Sequence, residues 1–134
     1  MTAFDARRYD RWFDAPWGAY ASTIERRALA DAVEPGRGAI LDAGCGTGRL
    51  APAGDGFVVG VDRDVGMLAI ARDRIHGHVV QADADHLPFA DGAFETTVAV
   101  TLCEFTQSAH HHENGCAGND VRQQDGGACL LDGT

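Results

Sequence analysis

Three glycines alternate with other residues in Leu41-Asp42-Ala43-Gly44-Cys45-Gly46-Thr47-Gly48, and a carboxylate stands just ahead of them. Without a Cβ, Gly44, Gly46 and Gly48 let the main chain turn sharply and lie against a ligand. A dinucleotide loop spaced Gly-x-Gly-x-x-Gly seats a pyrophosphate at a helix N-terminus. Here the spacing is Gly-x-Gly-x-Gly, and Asp42 would repel a pyrophosphate. A carboxylate at that place suits a cationic ammonium group. The loop therefore favours a nucleoside that carries an amino acid. Asp62, twenty residues after Asp42, closes a second apolar run. A carboxylate there can accept hydrogen bonds from both hydroxyls of a ribose.

These groups need strands to carry them. Ala39 to Leu41 reads as a short buried strand feeding the loop, and Phe57 to Val61 as a second. His78 to Ala82 and the Thr- and Val-rich Phe94 to Leu102 read as a third and a fourth. Between them, Val65 to about Ile75 reads as a helix with Asp64 as its N-cap and Gly77 at its end. Upstream, Ala19 to Val33 sets Ile24, Ala28, Leu29 and Val33 on one helical face, and Pro35-Gly36 stops it. The spacing of Tyr9, Trp12 and Phe13 suggests a further helix. Strands alternating with helices predict an α/β fold with a Rossmann-like, doubly wound parallel sheet of about four strands. After the loop, Pro52 with Gly54 and Gly56 opposes a full helix and leaves a turn or so.

Bulk properties narrow the partners. A net charge of −9 argues against a nucleic-acid backbone, and Arg7, Arg8, Arg11, Arg26 and Arg27 read as solvated helix faces. No apolar run is long enough to span a membrane, and no apolar segment backs the arginines of Met1 to Arg11 as in a signal peptide. A cytoplasmic location is expected. Cys45, Cys103, Cys116 and Cys129 form no Cys-x-x-Cys pair and read as free thiols. His110-His111-His112 with Glu113 and Cys116 is a poor preformed metal site, because consecutive histidines project in different directions. No metal is expected.

The order of the motifs carries a resemblance. Leu41–Gly48, Gly60-Val61-Asp62 with Met67-Leu68, and Gln81-Ala82-Asp83-Ala84 with Leu87-Pro88-Phe89 resemble three successive motifs of class I S-adenosylmethionine-dependent methyltransferases. The likeness is nearest to the subgroup that methylates small molecules such as quinone precursors. Asp91-Gly92-Ala93-Phe94-Glu95 resembles the family's lead into its fourth strand. Tyr9-Asp10-Arg11-Trp12-Phe13 resembles an N-terminal helix that covers the cofactor in many members. The resemblance implies S-adenosylmethionine as cofactor and a small-molecule methyl acceptor. It implies that Asp42, Gly44 and Gly46 hold the methionine part and that Asp62 takes the ribose hydroxyls. Met67 would pack on adenine, Asp83 would accept from the adenine amino group, and the Ala84 N–H would meet a ring nitrogen. Thr101 would lie near the transferable methyl. No general base is assigned, and His86 reads as a solvent-facing loop residue.

The expected organisation is a helical cap over 1–36, a cofactor-binding half-domain over 37–106 and a low-hydrophobicity tail over 107–134, without helix or strand period and disordered. The family continues past its fourth strand with further helices and about three more strands. The change of character after Thr106 resembles the result of a reading-frame change. It predicts a truncated form with an exposed central strand, open to self-association, and little or no turnover. Two other readings stand beside this one. One is an NAD-dependent oxidoreductase fragment; the other is a non-catalytic partner that pairs through the exposed strand.

Overall fold

The computed structural model describes residues 5–33, 38–52, 57–76, 78–100, 120–124 and 128–132. Asp5 starts helix α1 (Ala6–Trp12), its side chain accepting from the backbone N–H groups of Arg7 and Arg8. Helix α2 (Pro16–Ala32) begins with proline, whose missing N–H costs nothing in a first turn. Helix α3 (Val65–Arg74) is capped by Asp64 as the sequence predicts, with Met67 N–H donating to its carboxylate at 3.0 Å.

The strands are β1 (Ala39–Ala43), β2 (Phe57–Asp62), β3 (His78–Gln81) and β4 (Thr96–Val100), joined by β5 (Asp120–Gln124) and β6 (Ala128–Asp132). Their order in the sheet is β3-β2-β1-β4-β6-β5. The first four are parallel, as expected, and the register sets Asp42 beside Gly60 and Asp62 beside Gln81. Asp42 and Asp62 thus come to the same carboxyl edge of the sheet, where ligands of open α/β folds bind.

The tail corrects the sequence reading. Residues 120–124 and 128–132 are strands, and β6 runs antiparallel to β4 while β5 pairs with β6. The expectation of a tail without strands fails at these positions because a ladder is made by main-chain groups and asks little of side chains. Two cues were present in the sequence: the apolar run Ala128-Cys129-Leu130-Leu131, and the Asp125-Gly126-Gly127 link of the kind that short hairpins favour. Because β4 is paired on both sides, it is not the open edge from which self-association was expected.

Alternation along β1 and β2 divides the core between the two sheet faces. Ile40, Val58 and Val98 pack with Leu29 of α2 and Val33 at its C-cap, and with Leu68 and Ala71 of α3 and Ile75 at its C-cap. Leu41, Val59 and Val61 face the other way, against Val80, Ala82, Phe89 and Phe94. After Gly48 the chain makes only turns, with N–H to O contacts from Gly48 to Cys45 and from Ala51 to Gly48. Among the described residues this is the turn or so that the sequence predicts, and Leu50 and Ala51 pack against the core cluster that holds Leu29. Among the described residues no helix is long and apolar enough to cross a membrane.

Candidate functional site

The glycine loop is clamped onto the neighbouring strand. The N–H groups of Gly44 and Cys45 both donate to the carbonyl of Val61, at 2.8 and 2.9 Å. Gly46 and Gly48 have φ values of 55° and 78°, a left-handed backbone that side chains strain. At Gly48 a Cβ would also come within 3.2 Å of Ala71 on α3. At Gly46 a Cβ would meet nothing within 4 Å, so this glycine serves its backbone conformation and leaves open space above it.

Asp62 is set by the same loop. Its Oδ2 accepts from Gly46 N–H at 3.0 Å and its Oδ1 from Asp64 N–H at 2.9 Å. Each oxygen keeps lone-pair capacity for a further donor. Asp42 is the opposite case. It is buried, 4% exposed, and lines the cleft above the loop. Burial, with the charge of Asp62 added, pushes its pKa up from 3.8 to about 7. Burial also pushes the Cys45 thiol up, which makes it a poor nucleophile.

Above the loop lies a small cleft of about 40 Å³, open to solvent. Asp42, Gly44, Gly46 and Thr47 line it on the loop side, and Tyr9 of α1 and Phe13 at the α1 C-cap form its roof. The two rings meet edge to face at 5.3 Å, and Trp12 meets Phe13 likewise at 5.1 Å. Charge holds the roof down. Arg49 reaches Asp10 through Nε and Nη2 at 2.8 and 3.1 Å, and Arg74 reaches it at 2.6 and 2.8 Å. Arg74 Nη1 also donates to the Thr47 carbonyl at 3.0 Å, and Asp14 accepts from Arg49 Nη2 at 2.9 Å. The Arg74 guanidinium, helped by Arg49, holds the Asp10 carboxyl well below the usual carboxylate range. Asp10 and Arg49 are structural partners that the sequence reading missed, since their spacing of 39 residues follows no helix or strand period.

Of the residues expected at the site, Asp42, Gly44 and Gly46 line the cleft, and Asp62 abuts it through Gly46. Met67 is buried at the start of α3. Asp83 is exposed in a turn, where its Oδ1 accepts from Asp85 N–H and its carbonyl from His86 N–H. Ala84 follows in that turn, half-buried, and neither residue lines the cleft. His86 is exposed. Thr101, the three histidines from His110 and the remaining metal candidates lie outside the described residues.

This geometry can be set against known proteins. The family profile described as a methyltransferase domain matches residues 40–114, from β1 through the loop and beyond β4. The chain belongs to the class I S-adenosylmethionine-dependent methyltransferases. An uncharacterized protein of Methanocaldococcus jannaschii is 38% identical over 110 residues, covering 81% of this chain and 51% of its own length. The malonyl-[acyl-carrier protein] O-methyltransferase of Geobacter sulfurreducens is 36% identical over 108 residues, 68% of this chain and 39% of that protein. Among solved structures, a SAM-dependent methyltransferase from Thermotoga maritima superposes with a TM-score of 0.58 at 31% identity, over 72% of this chain and 44% of that one. This methyltransferase chain spans about half the length, or less, of these relatives. The matches do not favour the oxidoreductase reading.

The residues present fit the family's cofactor. A buried carboxylate lines the cleft, and a Cβ at Gly46 would meet nothing within 4 Å. A charged carboxylate is costly to bury, and the ammonium of an amino acid would offset that cost.

Proposed function

We propose that this chain binds S-adenosylmethionine between the glycine loop and α1, as the donor-binding part of a methyltransferase acting on a small-molecule acceptor. One observation carries the reading: the buried carboxylate of Asp42 lines the cleft beside the glycine loop. Asp42 holds the ammonium. Gly44 and Gly46 contribute by lacking a Cβ, since their N–H groups are already committed to Val61 and Asp62.

Asp62, preset by two backbone donors, takes the ribose hydroxyls on its remaining lone pairs. Met67 packs against adenine, Asp83 accepts from its amino group, and Ala84 donates through its backbone. Thr101 borders the methyl group. Tyr9 and Phe13 exclude water from the donor, and the Asp10 ion pairs keep them there. When bound, the cofactor supplies an electrophilic methyl on a sulfonium. The protein's part is to align donor and acceptor and to keep water out. A base is needed only for an acceptor that must first lose a proton, and no described side chain stands out as one.

Calorimetric titration of the purified chain tests this directly. One saturable site for S-adenosylmethionine and none for NAD is the expected result. Binding of NAD alone would return the dinucleotide reading.

A further inference from the structure

Helix α2 carries an apolar stripe on its outer face. Trp17 is 79% exposed, Tyr20 63% and Ile24 49%. The sequence groups Ile24 with Leu29 and Val33, but the fold buries those two and leaves Ile24 outside. With the exposed Arg27 these residues follow a spacing of three, four and three. At about 3.6 residues per turn they share an arc of about 80°. That is the spacing of a seam made for a second helix. None of the four belongs to either core cluster or lines the cleft. We infer that α2 of a second copy of this chain docks antiparallel on this stripe and forms a two-fold dimer, an inference that does not rest on the donor site.

The order of the residues favours a like partner. A spacing of three, four and three reads the same from either end. An antiparallel copy therefore sets Trp17 against the partner's Arg27, and Tyr20 against the partner's Ile24. The two-fold axis repeats each pair, as an isologous interface requires. A guanidinium over an indole adds a cation–π contact to the apolar burial. The helix ends are complementary too. At its start α2 has no side-chain cap on Ala15 and no acid in the first turn; its last turn holds Asp31 and no basic residue. Antiparallel docking brings Asp31 of each copy near the uncapped N-terminus of the other, so charge and helix dipole attract at both ends. A parallel pair would set Arg27 against Arg27. A lipid surface is the poorer partner, because anionic headgroups would meet a chain of net charge −9.

Sedimentation equilibrium of the full chain, from low to high micromolar concentration, tests this. The wild type should pass from monomer to dimer within that range, as small interfaces do. Ile24→Glu, which puts an unpaired charge into the seam, should weaken the dimer by roughly 10-fold or more. Arg27→Ala should weaken it roughly 5- to 30-fold, because two exposed cation–π contacts are lost at once. Alanine is favoured in a helix, so this variant decides the matter even if Ile24→Glu fails to fold. A wild type that stays monomeric throughout overturns the inference, whether or not it sediments with anionic vesicles. A dimer that both variants leave intact overturns it as well, since the contact then lies elsewhere. Tightening by Arg27→Ala would mean that the helices meet in parallel, and the antiparallel seam would fall.

Discussion

The loop at residues 42–49 and the turn at 83–86 are assigned to opposite ends of one ligand, yet they are built differently. At the loop, backbone donors from Gly44, Cys45 and Gly46 reach residues of β2, and Arg49 and Thr47 are tied to Asp10 and Arg74 on two separate helices. At the turn, Asp83 accepts, among the described residues, from Asp85 and His86 of its own segment, and it is exposed. The first end is organised before a ligand arrives; the second is a local turn in water. Binding energy should therefore concentrate at the amino-acid end, where little ordering remains to be done.

Asp42→Asn should break the contrast most severely. Losing the buried charge leaves the donor's ammonium unpaired and should weaken S-adenosylhomocysteine roughly 100-fold by calorimetry. The same change should raise the melting temperature of the free protein at pH 8, because the amide buries no charge. Gly60→Ala comes next. A Cβ there would lie 2.6 Å from Ile75 and 2.9 Å from Cys45, between α3 and the loop. Such overpacking costs about 1–3 kcal/mol, readable by chemical denaturation. Smallest is Asp83→Asn, expected to cost roughly 2- to 10-fold in affinity as a single solvent-facing hydrogen bond. An Asp83 effect as large as that of Asp42 would erase the contrast.

The pH dependence separates two carboxylates of opposite sign. Asp42 titrates higher folded than unfolded, so the free fold holds that proton more tightly. Its contribution to stability is full below pH 3.8 and is lost as pH rises towards about 7. Asp10 titrates lower when folded, so its contribution is present above the usual carboxylate range and lost on acidification. Asp42→Asn should flatten the decline between pH 4 and 7 in thermal melts, and Asp10→Asn should leave that decline in place.

The four parallel strands were legible because each is an apolar or β-branched run with a polar end, and Asp42 and Asp62 mark two of those ends. The loop was legible because its glycines alternate. The pairing of β6 with β4 was harder to read, since it is a main-chain ladder and the apolar run at Ala128–Leu131 stands in a stretch otherwise rich in Gly, Asn and Gln. The Asp10–Arg49–Arg74 cluster was not legible, since it spans 64 residues and exists only once α1 is docked. That the loop carboxylate would be buried followed from the same closure. Asp42 was chosen for its place beside the glycines, and its raised pKa needs both the sheet and Asp62.

The sharpest measurement is the proton count on binding at pH 6. Titrating S-adenosylhomocysteine in buffers of different ionisation enthalpy gives the number of protons released. With Asp42 near pKa 7 when free and paired with an ammonium when bound, release should approach one proton. Binding at pH 6 with no proton release would show that Asp42 does not hold the amino group, and the assignment of the cleft would have to be withdrawn.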